Sequence, residues 1–428
     1  METVTARVWQ SSKLLVKGLI IGAMVLILMI PSWFVQNLVK ERQERQEEAT
    51  AEVSSKWAGK QNITGPVLVL PYHETIPSTP GAENVKRLAY VLPDKLNFQS
   101  NVIPEKRHRG IFQVMLYSST IKMDGQFNSI PLQKLGLTAD QVIWSEAYVC
   151  LALADPKGLK EELRLKWNDS LLTLNPSSLG NGAMKDGFSA PAIVSPTSMI
   201  NFSSTVHVNG SEQLLFTPTG KETTAKLSST WRDPSFTGVQ LPDHRITPDG
   251  FTATWTSLAH TRSFPQAWKN SSYTLSTASF GTDIFIPVSG YQKTMRSVKY
   301  AILCILLTFA AFFMIEVVNK RSVHPFQYGL IGLALVLFYT LLLSFSEYTG
   351  FDVAYIIATI ATVGLIAWFV RGILQSNRLS VLLGVIIVLM YGYIFTILQL
   401  QDYSLLLGSV GLFLTLAVIM HFSKKIQW

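Results

Sequence analysis

Five side chains with acid, base or cationic chemistry lie in or beside long apolar stretches of the chain. They are Glu316, Lys320, His324, Glu347 and Asp352. Burying an unpaired charge in hydrocarbon is costly, so an ionisable side chain in a membrane span commonly has a partner or serves a transport path. Glu316 and Lys320 are four residues apart, the spacing at which opposite charges meet on a helix face. We expect an interfacial ion pair there, and Lys17 can extend towards the same membrane face.

The second acidic group stands in a loop without compensating charge. Glu347 and Asp352 belong to the segment 344–352, which contains no Lys or Arg although the chain carries a formal net charge of +8. The segment that leads from the preceding large domain into the apolar stretch 298–318 carries Lys293, Arg296 and Lys299 on the same predicted side. The opposite charges suggest that the two acids contact this basic segment and so seat the domain that comes before it.

No catalytic or metal-binding motif is recognisable. Phosphate-loop, His-Glu-x-x-His and Cys-x-x-Cys patterns are absent from the sequence, and "GFSAP" around Ser189 lacks the second glycine of a nucleophile elbow. The histidines at 73, 108, 207, 244 and 260 show no metal-ligand spacing. The sequence therefore predicts no catalytic residue, no cofactor and no metal. "EKRHRG", 105–110, is either a solvated turn or a contact for lipid headgroups or anionic envelope polymers.

The elements that must position these residues are mostly membrane helices. The 428 residues are 48% hydrophobic and 15% charged, against about 25% charged residues in a typical soluble protein. Six apolar stretches have the length that crosses a bilayer as a helix. They are residues 14–35, 298–318, 326–343, 353–370, 379–400 and 404–422. A 13-residue N-terminus, a charged helical stalk at 36–58, a large domain at 59–297 and a C-terminus at 423–428 complete the predicted organisation.

The distribution of Lys and Arg predicts the orientation of these spans. Nine Lys and Arg residues mark one side of the membrane. Three precede or open the first span, two lie between spans two and three, two lie between spans four and five, and two follow the sixth span. The other two short loops contain none. Because cytoplasmic loops are enriched in Lys and Arg, both termini are expected inside and residues of about 40–296 outside. Cys150 and Cys304 then fall in different compartments, so the external domain is expected to fold without a disulfide.

The external domain is predicted to be a β-sandwich-like domain. "FTATWTS" from Phe251 alternates apolar and polar residues, while "GPVLVLPY" and "GIFQVMLY" are typical of buried strands. "TVHVNGSEQLLF" and the dipeptides Asp124-Gly125, Asp186-Gly187, Asn209-Gly210 and Asp249-Gly250 are expected at hairpins. A helical insertion is possible at 157–166. The fold class is therefore an α + β membrane protein, six helices with this domain inserted between helices one and two.

Several stretches together resemble the CreD family of inner-membrane, cell envelope integrity proteins. They are "GPVLVLPY", "RHRGIFQVMLY", "LSSTWRDPSFTGVQLP", "GFTATW", residues 299–351 and "YSLLLGSVGLFLTLAVI". The resemblance spans nearly the whole chain and implies a Gram-negative inner-membrane protein with a periplasmic domain. It further implies a role in envelope stress, the response to β-lactam damage and tolerance of certain colicins. It supplies no catalytic residue.

Two classes of function remain open. The first is a non-enzymatic envelope protein whose domain binds a protein, lipid or glycan partner. The second is a lipid or small-molecule carrier of flippase type, or a membrane-embedded enzyme. The spans within 326–428 contain no Asp, Glu, Lys or Arg and no proline, whereas ion-coupled carriers generally use broken helices or midplane charges. This favours the first class, although Tyr339, Tyr391, Thr359, Thr362 and Thr396 could line a weakly polar path.

Overall fold

The computed structural model divides into two compact units, one of residues 1–47 and 288–428 and one of residues 48–287. It describes residues 2–78, 81–178, 186–197, 199–269, 273–284, 290–319, 323–400, 406–411, 413, 417 and 420, and side chains from residue 16 onwards except those at 78, 81, 82, 178 and 186. Lys320 and most of the predicted span 404–422 lie outside these residues.

The described part of the first unit consists of helices, and five of these are long and apolar enough to cross a membrane. The helices that contribute to it are α1 (Glu2–Trp57), α3 (Gly290–Lys299), α4 (Ala301–Val318), α5 (Pro325–Thr349), α6 (Phe351–Leu374) and α7 (Asn377–Gln399). A short helix, α2 (Leu132–Leu135), belongs to the second unit. The described part of the chain therefore contains five of the six expected apolar helices.

Helix α1 combines an apolar first half with a charged second half. Opposite charges four residues apart stabilise an exposed helix, and two such pairs lie in the charged half: Arg45 Nη2 lies 2.6 Å from Glu41 Oε1 and Lys40 Nζ lies 3.6 Å from Glu44 Oε1. The apolar half packs closely on α5. A Cβ atom on Gly332 would lie 2.1 Å from Leu28 Cδ1, so the absence of a side chain permits this contact.

Within the described residues, the second unit is built on a connected 16-stranded sheet. Its strands are β1 (Gln61–Ser78), β2 (Gly81–Val91), β3 (Lys95–Arg109), β4 (Phe112–Phe127), β5 (Tyr148–Leu153), β6 (Arg164–Trp167), β7 (Ser170–Thr173), β8 (Asn175–Ser178), β9 (Asp186–Pro191), β10 (Ile200–Phe216), β11 (Glu222–Ser229), β12 (Ser235–Gly238), β13 (Asp243–Thr247), β14 (Gly250–Leu258), β15 (Ala267–Lys269) and β16 (Phe280–Ile284). The longest path of paired strands is β13-β14-β11-β3-β4-β10-β1-β5-β9-β8. The expected large β-domain is thus present.

Strand β10 joins two sections of this sheet. Its first part, up to Ser211, pairs with β4, and its last part, from Glu212, pairs with β16. Glu212 has a φ of 62° at the change of partner. A non-glycine residue in this region is uncommon and typical of a local kink, which here redirects the strand between sections.

Aromatic side chains from both sections share one core. Phe98 of β3 packs on Phe216 of β10 with ring centroids 5.0 Å apart, and Trp255 of β14 stacks on Phe280 of β16 at 5.6 Å. The predicted alternation of β14 is confirmed, because Phe251, Ala253 and Trp255 are at most 3% exposed. Burial of such large rings contributes most of the favourable energy of a core.

Most of the hairpin predictions are wrong, for a packing reason. Asp124-Gly125, Asp186-Gly187 and Asn209-Gly210 lie within β4, β9 and β10, and "TVHVNGSEQLLF" forms part of the single strand β10. A Cβ on Gly125 would lie 2.5 Å from the Phe202 ring, and one on Gly210 would lie 2.3 Å from Tyr117 Oη. These two glycines therefore make room for aromatic rings. Only Asp249-Gly250 lies at a hairpin, between β13 and β14.

The possible helical insertion at 157–166 is also wrong. A single 3₁₀ turn, Pro156–Gly158, is followed by an irregular segment and by β6. Leu163, Leu165 and Trp167 are each at most 4% exposed and follow a period of two. This period places three apolar side chains on one face of an extended chain, which a helix would scatter around its axis.

Candidate functional site

Three of the five candidate residues, Glu316, Glu347 and Asp352, each lie in a polar cluster of the first unit, which we call the helical unit; the second unit is the β unit. We name the Glu316 cluster (Lys17, Glu316, Val323, Tyr328), the Glu347 cluster (Arg42, Tyr291, Glu347) and the Asp352 cluster (Lys293, Asp352, Gln399). The first is assembled at the beginning of α5, and the second at its end. From Tyr328 to Glu347 the helix rises by about 28 Å at 1.5 Å per residue, close to the thickness of the hydrocarbon core of a bilayer.

In the Glu316 cluster both carboxylate oxygens of a buried glutamate are satisfied. Glu316 Oε1 accepts hydrogen bonds from Lys17 Nζ and, at 3.0 Å, from the Val323 backbone N–H. Its Oε2 accepts a hydrogen bond of 2.7 Å from the Tyr328 hydroxyl. Lys17 Nζ also donates to the Val323 carbonyl at 2.6 Å. A buried ion pair is tolerated when further hydrogen bonds complete it, and this one links α1, α4, the connecting loop and α5.

The expected partner of Glu316 was Lys320, which lies outside the described residues. The observed partner is Lys17, whose side chain is 18% exposed while that of Glu316 is 7% exposed. The sequence indicated that Lys17 extends towards the same face, but the pairing across 299 positions was missed. Two ionisable residues of opposite sign, each near the same predicted membrane face, were the signal that could have identified it.

His324 caps helix α5. Its Nδ1 accepts a hydrogen bond of 3.2 Å from the Phe326 backbone N–H, and Gln327 Oε1 accepts one of 3.2 Å from the His324 backbone N–H. Pro325 occupies the first helical position. This reciprocal arrangement satisfies N–H groups that an α-helix leaves without partners at its start. The contacts of His324 are therefore those of a helix cap.

In the Glu347 cluster a second buried carboxylate receives a tyrosine hydroxyl. Tyr291, in α3, donates a hydrogen bond of 2.9 Å to Glu347 Oε1, and Arg42 Nε lies 3.7 Å from the same oxygen. The Glu347 side chain is 8% exposed. Burial, together with the hydrogen bond to Glu347, raises the pKa of Tyr291 above its ordinary value.

The Asp352 cluster is open to solvent. Asp352 Oδ1 accepts a hydrogen bond of 2.7 Å from Gln399 Nε2, and Lys293 Nζ donates to Gln399 Oε1 at 3.1 Å. Lys293 Nζ lies 3.9 Å from Asp352 Oδ1, and the Asp352 side chain is 60% exposed. The expected attraction between Asp352 and Lys293 is therefore present. The segment carrying Lys293 belongs to the helical unit, however, and not to the preceding domain as expected.

Between the two ends of α5 lies an aromatic centre with few polar contacts. Phe338 packs on Tyr391 with ring centroids 4.2 Å apart, and the Tyr339 hydroxyl lies 3.3 Å from Cys304 Sγ. Thr359 and Thr396 donate to carbonyls four residues earlier in their own helices. Within the described residues, the Tyr391 hydroxyl and Thr308 Oγ1 are buried without a hydrogen-bond partner.

Ser189 and His207, two side chains of the β unit that could take part in catalysis or metal binding, each contact another residue of the same unit. Ser189 lies in β9, where its hydroxyl donates to Ser177 Oγ at 2.8 Å, so it is not exposed at a strand-to-helix turn. His207 Nδ1 lies 2.5 Å from Glu161 Oε1. The searched part of the chain contains no group of three or more His, Cys, Asp or Glu residues arranged to hold a metal ion.

The basic hairpin at 105–110 is held against the end of α1. The Arg107 guanidinium lies 4.2 Å from the centre of the Trp57 ring, and Arg109 Nη2 donates to Glu52 Oε1 at 3.0 Å. Lys106 lies over Trp231. A hydrogen bond from Lys56 and the charge of Arg109 lower the pKa of Glu52. The sequence left open whether this segment is a solvated turn or a contact for lipid headgroups or anionic envelope polymers. In the structure its cationic side chains contact Trp57, Glu52 and Trp231 of the same unit.

A polar groove crosses the outer face of the sheet. Two adjoining depressions, of about 690 and about 620 Å³, share Asp124, Lys166 and Ser203. Hydrogen-bonded strand pairing aligns Asn97, Asp124, Ser203 and Lys166 in one row across β3, β4, β10 and β6. We call this surface the sheet groove. Sequence analysis missed it because the row becomes visible only once the strand register is known.

Comparison with known proteins gives a consistent family assignment. The model of the family described as "Inner membrane protein CreD" matches residues 13–428. Inner membrane protein CreD of Escherichia coli (strain K12) is 28% identical over 412 residues, covering 94% of this chain and 91% of the relative. Because the family match extends over nearly the whole chain, and because the described helices are long and apolar enough to span a bilayer, this chain belongs to the CreD family of inner membrane proteins.

Proposed function

We propose that this protein is a non-enzymatic, multi-pass protein of the Gram-negative inner membrane that supports cell envelope integrity and stress tolerance. In this proposal residues of about 40–296 are periplasmic, both termini are cytoplasmic, and the β unit acts by binding an envelope protein, lipid or glycan. The helices anchor the binding unit. Membership of the CreD family supports the membrane location. The envelope role rests on the family resemblance, which implies a response to β-lactam damage and tolerance of certain colicins.

The distribution of charge supports the proposed orientation. Arg371 lies in the last turn of α6 and Arg378 in the first turn of α7, while Asp352 lies at the opposite end of α6. Lys17 is part of the cluster at the beginning of α5. Basic residues are retained on the cytoplasmic side of inner-membrane proteins. The Glu316 cluster therefore belongs on the cytoplasmic side, and the Glu347 and Asp352 clusters belong on the periplasmic side.

The observation that carries the binding role is the sheet groove. Its central side chains, Asp124, Ser203 and Lys166, are exposed on regular strands that hold them in fixed relative positions. Rigid strands position binding groups more accurately than loops do. The acidic residues Glu316, Glu347 and Asp352 of the helical unit are instead engaged in contacts with other helices, which supports an anchoring role for that unit.

Site-directed photo-crosslinking in intact cells tests this proposal. A photoreactive residue replaces Ser203 in the groove of the full-length protein, and a matched control replaces Leu241, which is 76% exposed and lies outside the groove. We expect an envelope component to be captured from position 203 and not from position 241. We also expect Ser203→Trp, which fills the groove, to reduce tolerance of envelope damage.

Equal capture from both positions, together with full tolerance in Ser203→Trp, would contradict the binding role. The membrane fraction must contain the same amount of each variant, because loss of the protein would also reduce tolerance. Mass spectrometry of the captured species distinguishes a protein from a lipid or a glycan.

The alternative is a carrier or a membrane-embedded enzyme, and one observation favours it. The Tyr391 hydroxyl and Thr308 Oγ1 are buried in the helical unit without hydrogen-bond partners among the described residues. Such groups usually have a partner, so a passing polar molecule could supply one. Under this alternative, Tyr391→Phe abolishes tolerance while Ser203→Trp preserves it. The binding proposal predicts the opposite pattern.

A further inference from the structure

We propose that Arg296 and Lys299 of helix α3 form a binding site for the phosphate headgroup of anionic phospholipids. The site belongs to the helical unit and does not depend on the binding role proposed for the β unit. Three observations carry it. The two cations have no acidic partner among the described residues, they share the exposed stripe of α3, and α3 lies at the ends of membrane helices.

Of the three basic side chains of α3, one is engaged within the helical unit. Lys293 Nζ donates to Gln399 Oε1 at 3.1 Å and lies 3.9 Å from Asp352 Oδ1. Arg296 and Lys299 are exposed, and neither forms an ion pair with an acidic side chain of the described residues. The basic segment therefore supplies more positive charge than the acids of this face use.

Helix α3 has a buried face and an exposed stripe. The buried side chains are Tyr291, Thr294, Ser297 and Val298. Gln292, Arg296 and Lys299 are exposed at positions i, i+4 and i+7, which lie on one side of a helix. Residues three apart are neighbours on a helix surface, so the Arg296 guanidinium and the Lys299 ammonium can contact the same anion. The arginine fork can bind two phosphate oxygens, and the lysine adds a point charge.

The contacts of α3 place it at one end of the membrane helices. Tyr291 donates to Glu347 near the end of α5. Lys293 contacts Asp352 in the first turn of α6 and Gln399, the last residue of α7. Apolar helices of this length end near the edges of the hydrocarbon core. Helix α3 therefore lies at one edge of the hydrocarbon core.

Arg296 and Lys299 lie at the depth of the lipid headgroups. They precede Ala301, the first residue of α4, by five and two positions. These positions correspond to at most about 8 and 3 Å of helix. The headgroup layer on each side of the hydrocarbon is about 5 to 8 Å thick. Tyr348, which follows Glu347 and is 75% exposed, supports this level, because tyrosines are enriched at membrane interfaces.

The net charge of the site selects among phospholipids. Every phospholipid headgroup carries a phosphate, but a choline or ethanolamine group compensates it with a cation of its own. Phosphatidylglycerol lacks that cation and keeps a net negative charge. Two cations within one helical turn, without a counter-charge in the described part of the chain, therefore favour the anionic lipid.

Photo-crosslinking between two competing lipids tests the site. The full-length protein is placed in nanodiscs of equal phosphatidylglycerol and phosphatidylcholine with identical acyl chains, and a photoreactive residue replaces Gln292. We expect the captured lipids to be enriched about fivefold in phosphatidylglycerol, the preference that one basic residue provides at an anionic surface. A photoreactive residue at Ile360, which is 68% exposed in the middle of α6, should capture both lipids in the ratio of the bilayer.

A charge-matched pair of variants assigns the preference to the two cations. With the photoreactive residue at position 292, Arg296→Gln/Lys299→Gln should return the captured ratio to that of the bilayer. The control, Lys226→Gln/Arg245→Gln, removes the same charge from exposed strand positions of the β unit and should keep the preference. Equal thermal unfolding temperatures of the two variants exclude a loss of fold. Raised salt should reduce the preference, because exposed charges are screened.

Three results would overturn the assignment. They are capture from position 292 in the bilayer ratio, an equal preference in the two double variants, and capture of a protein segment instead of a lipid. The readout is a covalent lipid adduct, so free phosphate cannot produce the expected result. None of these results bears on the sheet groove, whose test is capture from position 203.

Discussion

Glu316 and Asp352 are both acidic side chains of the helical unit, but they differ in burial and in the number of their contacts. Glu316 is buried and contacts Lys17, Val323 and Tyr328, whereas Asp352 is 60% exposed and has one hydrogen bond and one ion pair of 3.9 Å. Glu347 is intermediate, because it is buried but has a single hydrogen bond and one ion pair, of 3.7 Å, with Arg42. Burial and the number of contacts, rather than charge alone, should therefore rank the contributions of these acids to stability.

The largest expected effect comes from Glu316. Glu316→Ala leaves the Lys17 ammonium, which is largely buried, without a counterion, and removal of one member of a fully buried ion pair costs about 3 to 5 kcal/mol, an upper value for this pair. We expect a clear fall in the thermal unfolding temperature of the detergent-solubilised protein. Lys17→Met/Glu316→Leu replaces both members with apolar side chains and should recover most of the loss. If Glu316→Ala alone were as stable as the unsubstituted protein, this result would contradict the contacts described for the Glu316 cluster.

A smaller effect is expected from Glu347. Glu347→Ala removes the acceptor of the Tyr291 hydroxyl, and a hydrogen bond to a charged group contributes about 1.5 to 3 kcal/mol. A double-mutant cycle with Tyr291→Phe should show that the two substitutions are not additive, because they remove the same contact. Purely additive losses of unfolding free energy would mean that the Tyr291–Glu347 bond contributes nothing.

Tyr291 also predicts a dependence on alkaline pH. The raised pKa means that folded Tyr291 keeps its proton where the unfolded chain, with an ordinary pKa of about 10, loses it. Its contribution to stability is therefore full below pH of about 10 and declines as the pH rises further. Tyr291→Phe should show a shallower loss of stability above this pH. The same slope in both proteins would show that Tyr291 is not protected in the folded state.

The smallest effect is expected from Asp352. Asp352→Asn keeps the shape of the side chain and removes an exposed charge, a change that typically costs about 0.2 to 1 kcal/mol. Added salt should remove most of the difference, because exposed ion pairs are screened. A loss as large as that of Glu316→Ala would reverse the ranking and show that the Asp352 cluster supports the unit in a way that its exposure does not indicate.

Parts of this molecule were predictable from local patterns, and others depended on distant contacts. The apolar lengths indicated five of the described helices, and the alternation at Phe251, Ala253 and Trp255 indicated a strand. Gly125 and Gly210 were misread, because a glycine that makes room for Phe202 or Tyr117 has the same local sequence as a turn glycine. Lys17 and Glu316 are separated by 299 positions, and no local rule could pair them.

The sheet groove shows the same limit. Asn97, Asp124, Ser203 and Lys166 come from four strands, and each is unremarkable in its own strand as a polar residue on a solvent-facing side. The His324 cap, in contrast, has a local signature, because His324, Pro325 and Gln327 together satisfy the start of α5. Sequence patterns indicated structure within an element, while the shared surfaces required the register of the whole sheet.

The most direct test of the central claim, that the Glu316 and Asp352 clusters mark opposite faces of the membrane, is cysteine labelling in spheroplasts. Asn319→Cys and Asp352→Cys each introduce one exposed thiol, and the native Cys150 and Cys304 are buried. Burial raises the pKa of Cys150 to about 12, which further limits its reaction. We predict that a membrane-impermeant maleimide labels Asp352→Cys in intact spheroplasts and labels Asn319→Cys only after lysis. Labelling of both variants before lysis, or of neither, would contradict the account.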